Sequence, residues 1–231
     1  MTNFWPQSKD GILLSLHSMA YTAGKKMNIT IVDYGLGNIG SITNMLNKIG
    51  YSTNIANCKE QVLKAEKLIL PGVGSFDQAM NNLSERDLIG ALNCQVCERG
   101  VPILGICLGM QIMTNRSGEG KLPGLGWVDA SVKRFSSSTD GEIKIPQMGW
   151  NTVNKHKDSK LTRKLDKTAR FYFVHSYYVD CVNSDDVLLT TDTGKISYHS
   201  AFAANNIVGV QFHPEKSHRF GKSLLQAFCE F

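Results

Sequence analysis

Between residues 28 and 112 the chain alternates short aliphatic runs with stretches whose apolar residues recur at helical spacing. Few arrangements satisfy that alternation, because parallel strands need crossover connections and those connections are usually helices. Ile29-Thr30-Ile31-Val32 is the first run. Ile39, Ile42, Met45, Leu46 and Ile49 then share one helical face, and Gly50 stops the helix. Tyr51 to Ala56, Lys67 to Leu70 and Val101 to Ile106 read as further strands. Helical spacing runs through Met80 and Leu83, and again from Leu88 to Cys97. Strands in such a unit are covered on both faces.

The second half changes character. Trp127 to Phe135, Arg170 to Asp180, Val187 to Asp192, Ile196 to Ala203 and Ile207 to Phe212 are strand-like with few helices between them. Antiparallel pairing follows there. Ser217 to Phe231 returns to helix, with Phe220, Leu224, Leu225 and Phe228 on one side. The predicted fold is a single α/β domain over 27–231, a mostly parallel central sheet flanked by helices with a smaller antiparallel region. Residues 1–26 fit none of this. Their Ile12-Leu13-Leu14-Ser15-Leu16 run with Ser18-Met19-Ala20 faintly resembles a signal peptide, but the apolar part is short and interrupted by His17, and Asp10 spoils the basic flank. They are expected to be an extension outside the fold.

Composition excludes several classes. The balance of 25 basic and 20 acidic residues gives a net charge of +5. Its densest stretch, Lys155 to Arg170, lacks the interleaved aromatics of a nucleic-acid surface and reads as solvated. No apolar run approaches membrane-spanning length. The 6 cysteines are scattered, as suits a reducing cytoplasm. Cys94 and Cys97 form a lone Cys-x-x-Cys without the second pair or histidines of a zinc set, so no metal is expected.

Two glycine patterns compete for attention. Gly35-Leu36-Gly37-Asn38-Ile39-Gly40 has dinucleotide-loop spacing, but the second strand ends in Asn54-Ile55-Ala56-Asn57 without an acidic residue to hold a ribose. It reads as a tight strand-to-helix turn, and no cofactor is expected. Gly105-Ile106-Cys107-Leu108-Gly109 is different, because a strand running straight into a helix is the geometry of a nucleophile elbow. Such a corner exposes its side chain at the sheet's edge and aims a helix N-terminus at it, which favours thiolate.

A thiolate needs a proton partner. His213 lies just past an apolar strand in Gly-Val-Gln-Phe-His-Pro-Glu-Lys-Ser. In an extended segment residues 213 and 215 point the same way, so Glu215 can fix the His213 tautomer. The backbone N–H of Leu108 is one natural oxyanion donor, and Pro71-Gly72-Val73-Gly74 leaves a neighbouring strand able to turn a second one inward.

Together these residues resemble the class I (triad) glutamine amidotransferases, over nearly all of residues 28–231. Leu-Pro-Gly-Val-Gly, Gly-Ile-Cys-Leu-Gly-Met-Gln and Gly-Val-Gln-Phe-His-Pro-Glu-Lys-Ser occur in family order. Asp33 to Ile39, Pro146 to Asn151 and Tyr172 to Tyr177 are similar to one branch, the glutaminase subunits of imidazole glycerol phosphate synthase. The resemblance implies that Cys107 attacks glutamine's side-chain amide, that His213 and Glu215 complete the triad, and that Gly72 and Val73 form an oxyanion switch with Leu108. It places Gly74, Gln111, Glu119, His175, Ser176 and Tyr177 around the glutamine. It also implies a separate (βα)₈-barrel synthase subunit, in a heterodimer, that receives the ammonia for histidine biosynthesis.

One position departs. The family usually has histidine where this chain has Gln147. With Gly124 to Asp129 and the ending Glu-Lys-Ser-His-Arg-Phe-Gly-Lys, that departure is similar to paralogues serving a sugar-modifying partner in surface polysaccharide synthesis. The chemistry is shared and the acceptor differs.

Overall fold

The computed structural model of the chain describes residues 28–136 and 144–231; the extension expected over 1–26 lies outside them. β1 (Ile29–Val32), α1 (Ile39–Lys48), β2 (Thr53–Ala56), α2 (Lys59–Val62) and β3 (Leu68–Gly72) open the chain. They are followed by α3 (Phe76–Glu85), α4 (Ile89–Asn93), β4 (Ile103–Cys107) and α5 (Leu108–Gln111). After β5 (Arg116–Ser117) come β6 (Ala130–Arg134), β7 (Gln147–Thr152), β8 (Asn154–Lys155), β9 (Arg170–His175) and β10 (Tyr177–Cys181). β11 (Val187–Thr193), β12 (Ile196–Ala204), β13 (Ile207–Val210) and α6 (His218–Cys229) complete the described part.

The main sheet runs β2-β1-β3-β4-β13-β12-β10-β6-β5, with β11 also paired to β12 and β8 paired to β11. From β2 to β13 every pairing is parallel. Antiparallel pairing begins at β12. Both faces are buried, as the unbroken apolar strands require. Leu68 and Leu70 face Phe76, Leu83 and Leu92, while Ile69 joins Ile29, Ile31, Ile42, Leu46 and Phe228 on the other side. No helix among the described residues is long and apolar enough to cross a membrane.

Two expectations need correction. The strand predicted from Arg170 to Asp180 breaks at Ser176. β9 leaves the main sheet to pair with β7 in a two-stranded ribbon, whereas β10 pairs with β6 and β12. At the break the Ser176 carbonyl accepts from the Phe135 N–H at 3.1 Å, so local apolar alternation could not reveal the change of sheet. β7 itself was not predicted. Its polar residues and Gly149 at φ 130° hide its strand character, which depends on its partner β9.

Register aligns the functional edge. Gly72 lies opposite Cys107, and Ile106 opposite Val210, so three adjacent parallel strands deliver residues 72, 107 and 213 to the same end. The turn of α5 rests on β3: a Cβ at Gly109 would lie 1.9 Å from the Leu70 carbonyl oxygen. Backbone, unlike a flexible side chain, has little room to retreat. Gly109→Ala is therefore expected to destabilise the fold by about 3 kcal/mol or more, read as a lower urea midpoint.

Candidate active site

Cys107 ends β4 with φ 55° and ψ −111°, a strained backbone for any residue but glycine. The elbow expected from the sequence is present, but its thiol is buried at the floor of a cleft instead of standing exposed. α5 is a single turn. Its dipole is correspondingly short, and the sulfur's other neighbours matter more than the sequence suggested. Leu108, the first helical residue, has an N–H with no partner inside the helix.

His213 is anchored by its backbone. Its N–H donates to the Tyr172 carbonyl at 2.9 Å. Its own carbonyl accepts from Ser217 Oγ at 2.6 Å, and that oxygen accepts from the Tyr172 N–H at 3.0 Å. The extended path expected for residues 213–215 is replaced by one 3₁₀ turn, Pro214–Lys216. Pro214 favours that turn through its fixed φ. The predicted contact survives the change of backbone, with Glu215 Oε1 at 2.8 Å from His213 Nδ1.

Burial alone would lower the His213 pKa. Hydrogen bonding and charge from Cys107 and Glu215 outweigh that burial and raise it to about 10. Nε2 makes no well-aligned hydrogen bond among the described residues, yet the Cys107 sulfur is near enough to favour the imidazolium. His175 behaves oppositely. Burial, opposed by its bond to Tyr177 and joined by the His213 charge, lowers its pKa to about 4. A carbonyl only accepts, so His175 Nδ1 carries the proton it gives Tyr177 O at 2.7 Å, and Nε2 accepts from Tyr198 Oη at 3.3 Å.

The cleft encloses about 330 Å³ and is lined by Val73, Gly74, Cys107, Leu108, Gln111, Glu119, His175, Ser176, Tyr177 and His213, together with Pro146 and Val174. Every residue that the resemblance assigns to the triad, the oxyanion switch or the glutamine pocket is thus on its wall except Gly72 and Glu215. Gly72 is wedged in place, since a Cβ there would meet Tyr34 Oη at 2.6 Å and Gly109 N at 2.8 Å. Glu119 accepts from the Phe76 N–H at 2.9 Å. Gln111 turns its amide nitrogen away from solvent, toward Tyr177 O and Gln211 Oε1.

Sequence reasoning missed several supports. Tyr34 Oη donates to Pro71 O at 2.7 Å and steadies the strand end before Gly72. Asp77 accepts from the Lys121 and Leu122 amides, which hold its carboxyl below the usual range and clip the Glu119 loop to α3. Ser217 was quoted in its motif without a role. Tyr34 and Asp77 carried no local signal, because each acts on a segment more than 35 residues away.

A cysteine at a strained strand–helix corner, with a carboxylate-held histidine beside it in an α/β sheet, is an arrangement suited to thiol-based nucleophilic chemistry. The sequence model described as "Glutamine amidotransferase class-I" matches residues 30–230. The chain belongs to the class-I glutamine amidotransferases. It is 52% identical over 202 residues to a Methanococcus maripaludis protein named imidazole glycerol phosphate synthase subunit HisH 2, covering 87% of this chain and 98% of that one. A Pseudomonas aeruginosa protein of the same name is 44% identical over the same shares. Among solved structures, PurLQS from Thermotoga maritima superposes with a TM-score of 0.70 at 19% identity, covering 89% of this chain and 99% of that one. That last likeness is one of fold.

The raised His213 pKa has a stability consequence. Its protonation adds stability in full below pH 6.5, the ordinary value, and that contribution is lost as pH rises through about 10. The stability advantage of the wild type over His213→Asn in urea titrations is therefore expected to shrink from pH 6.5 to pH 10.

Proposed function

We propose that this chain is the glutaminase subunit of an imidazole glycerol phosphate synthase, hydrolysing L-glutamine to glutamate and ammonia. The observation that carries this reading is the 2.8 Å contact of Glu215 with His213 beside Cys107. The Cys107 sulfur, as thiolate, attacks the side-chain amide carbon. The carbonyl electrons move to oxygen, where the Leu108 N–H and a peptide N–H at Val73 receive them. Collapse of this intermediate expels ammonia, the nitrogen taking a proton from His213, and leaves a γ-glutamyl thioester. His213 then removes a proton from water, the hydroxide adds, and the thiolate departs as glutamate forms.

The cleft suits this substrate. Glu119, on the cleft wall, offers a carboxylate to the glutamine ammonium, and Gly74, Gln111 and the His175-Ser176-Tyr177 segment offer polar groups to the rest of the molecule. Neutral His175 adds no second cation next to His213. Glycine at position 72 has no Cβ to restrict its ψ, the angle about which the Gly72-Val73 peptide turns between resting and oxyanion-binding states.

Ammonia release has a purpose only with an acceptor, and the relatives are named as synthase subunits. A separate cytoplasmic (βα)₈-barrel subunit, paired one to one with this chain, receives the ammonia along an enclosed path. Val73, Met148 and Trp150, exposed by 43%, 62% and 41%, supply the apolar surface such a partner would cover.

In the complex with its cognate synthase subunit, Cys107→Ala is expected to lower glutamate release on the order of 10³-fold or more. Added ammonium salts should still sustain product formation. Full glutaminase activity in that variant would refute the assignment. Gln147, where the histidine-pathway branch usually has histidine, is the feature favouring the sugar-modifying acceptor instead; its Oε1 accepts from Thr193 Oγ1 at 2.8 Å. Expressing the subunit pair in a histidine auxotroph lacking both is expected to restore growth without histidine. No growth from a pair active as a glutaminase would point to the other acceptor.

A further inference from the structure

Gln211 is fully buried and lies one residue beyond β13, two before His213. Its N–H donates to the Ser200 carbonyl at 2.9 Å, which carries the β12 alignment one step past the strand. Phe212 turns to the opposite side and stacks on Phe171 at 3.9 Å between centroids. Gln211 and His213 thus approach the same sulfur from one short segment. Gln211 Nε2 is 3.7 Å from Cys107 Sγ, a hydrogen-bonding distance for an acceptor as large as sulfur.

The orientation of this amide is dictated by its neighbours. The Tyr177 carbonyl only accepts, so the Gln111 atom 3.1 Å away is its nitrogen. That same nitrogen is 3.0 Å from the Gln211 amide, whose facing atom must therefore be oxygen. The remaining Gln211 atom, its nitrogen, is left to point at the sulfur. A chain of two amides fastened to a main-chain carbonyl ends in an N–H directed at Cys107.

We propose that Gln211 is a further catalytic residue, its amide N–H stabilising the Cys107 sulfur as an anion, with Gln111 and the Tyr177 carbonyl fixing that amide's direction. The inference rests on Cys107 being the nucleophile of the glutaminase reading. It supplies what a one-turn helix cannot, since the dipole of α5 is short. It also differs in kind from His213. The imidazolium gives its proton to the departing nitrogen, whereas an amide has no proton to yield and still faces the sulfur when water expels it from the thioester. Hydrogen bonds to a charged acceptor are roughly twice as strong as neutral ones. A buried site magnifies the difference.

The test uses the full chain bound to its cognate synthase subunit. Iodoacetamide alkylation of Cys107 is followed against pH, read on its own peptide by mass spectrometry, for wild type, Gln211→Leu and Gln211→Met. Both variants are expected to move the alkylation midpoint upward by about one pH unit, a roughly tenfold weaker preference for the anion. The kcat for glutamate release should fall by a similar factor with KM nearly unchanged. Gln211→Met is close in size, uncharged and without an N–H, so it gives the midpoint even where Gln211→Leu fails to fold. An unmoved midpoint in the folded variants, including one accompanied by a lower Tm, overturns the proposal while Cys107→Ala remains inactive. A fully active Cys107→Ala would instead sink the glutaminase reading, and this inference with it.

Discussion

The rest of the site depends on how closely the α5 turn lies on β3. Gly109 packs where a Cβ would strike the Leu70 carbonyl, and Gly105 packs where one would come within 2.7 Å of the Gly109 carbonyl oxygen. This double close approach bends the chain sharply enough to hold Cys107 at φ 55°. Such a backbone state costs on the order of 1–3 kcal/mol and persists only where surrounding structure over-determines it. Here it is gripped on both sides, with β3 and β13 paired to β4.

The second constraint is electrostatic. His213 and Glu215 are nearly solvent-free, and burying charges is costly unless they pair. The pairing is local, across one 3₁₀ turn, so little chain entropy is needed to bring the two together. Placing that turn beside Cys107 is a long-range achievement. It requires β13 next to β4 and Ser217 bridging His213 to Tyr172 on β9. Neutral His175 then lines the same cleft without adding charge.

Much of this was legible in order but not in geometry. Apolar runs located β1, β3, β4 and β13, and helical spacing located α1 and α6, since each signal is carried by neighbouring residues. The break at Ser176 was not legible, because residues 170–180 keep strand-like composition throughout while their hydrogen-bond partners change from β7 to β6 and β12. Lys67 shows the same limit. It was read as part of a strand, yet its buried Nζ donates to the Phe228 and Cys229 carbonyls at 2.9 and 2.8 Å and caps the last helix. Burial accordingly lowers its pKa. The supports from Tyr34, Asp77 and Gln211 went unseen for a related reason, as each acts on a distant segment.

By itself the sequence determined the α/β class, the strand-to-helix corner at Cys107 and the succession of thiol, imidazole and carboxylate motifs. Periodicity, glycine placement and short-range chemistry are properties of contiguous residues. Only the tertiary structure decided that the thiol is sunk in a cleft, that a 3₁₀ turn carries Glu215, and that Gln211 reaches the sulfur. Those outcomes depend on which strands become neighbours and in what register, which is settled by packing across the whole sheet.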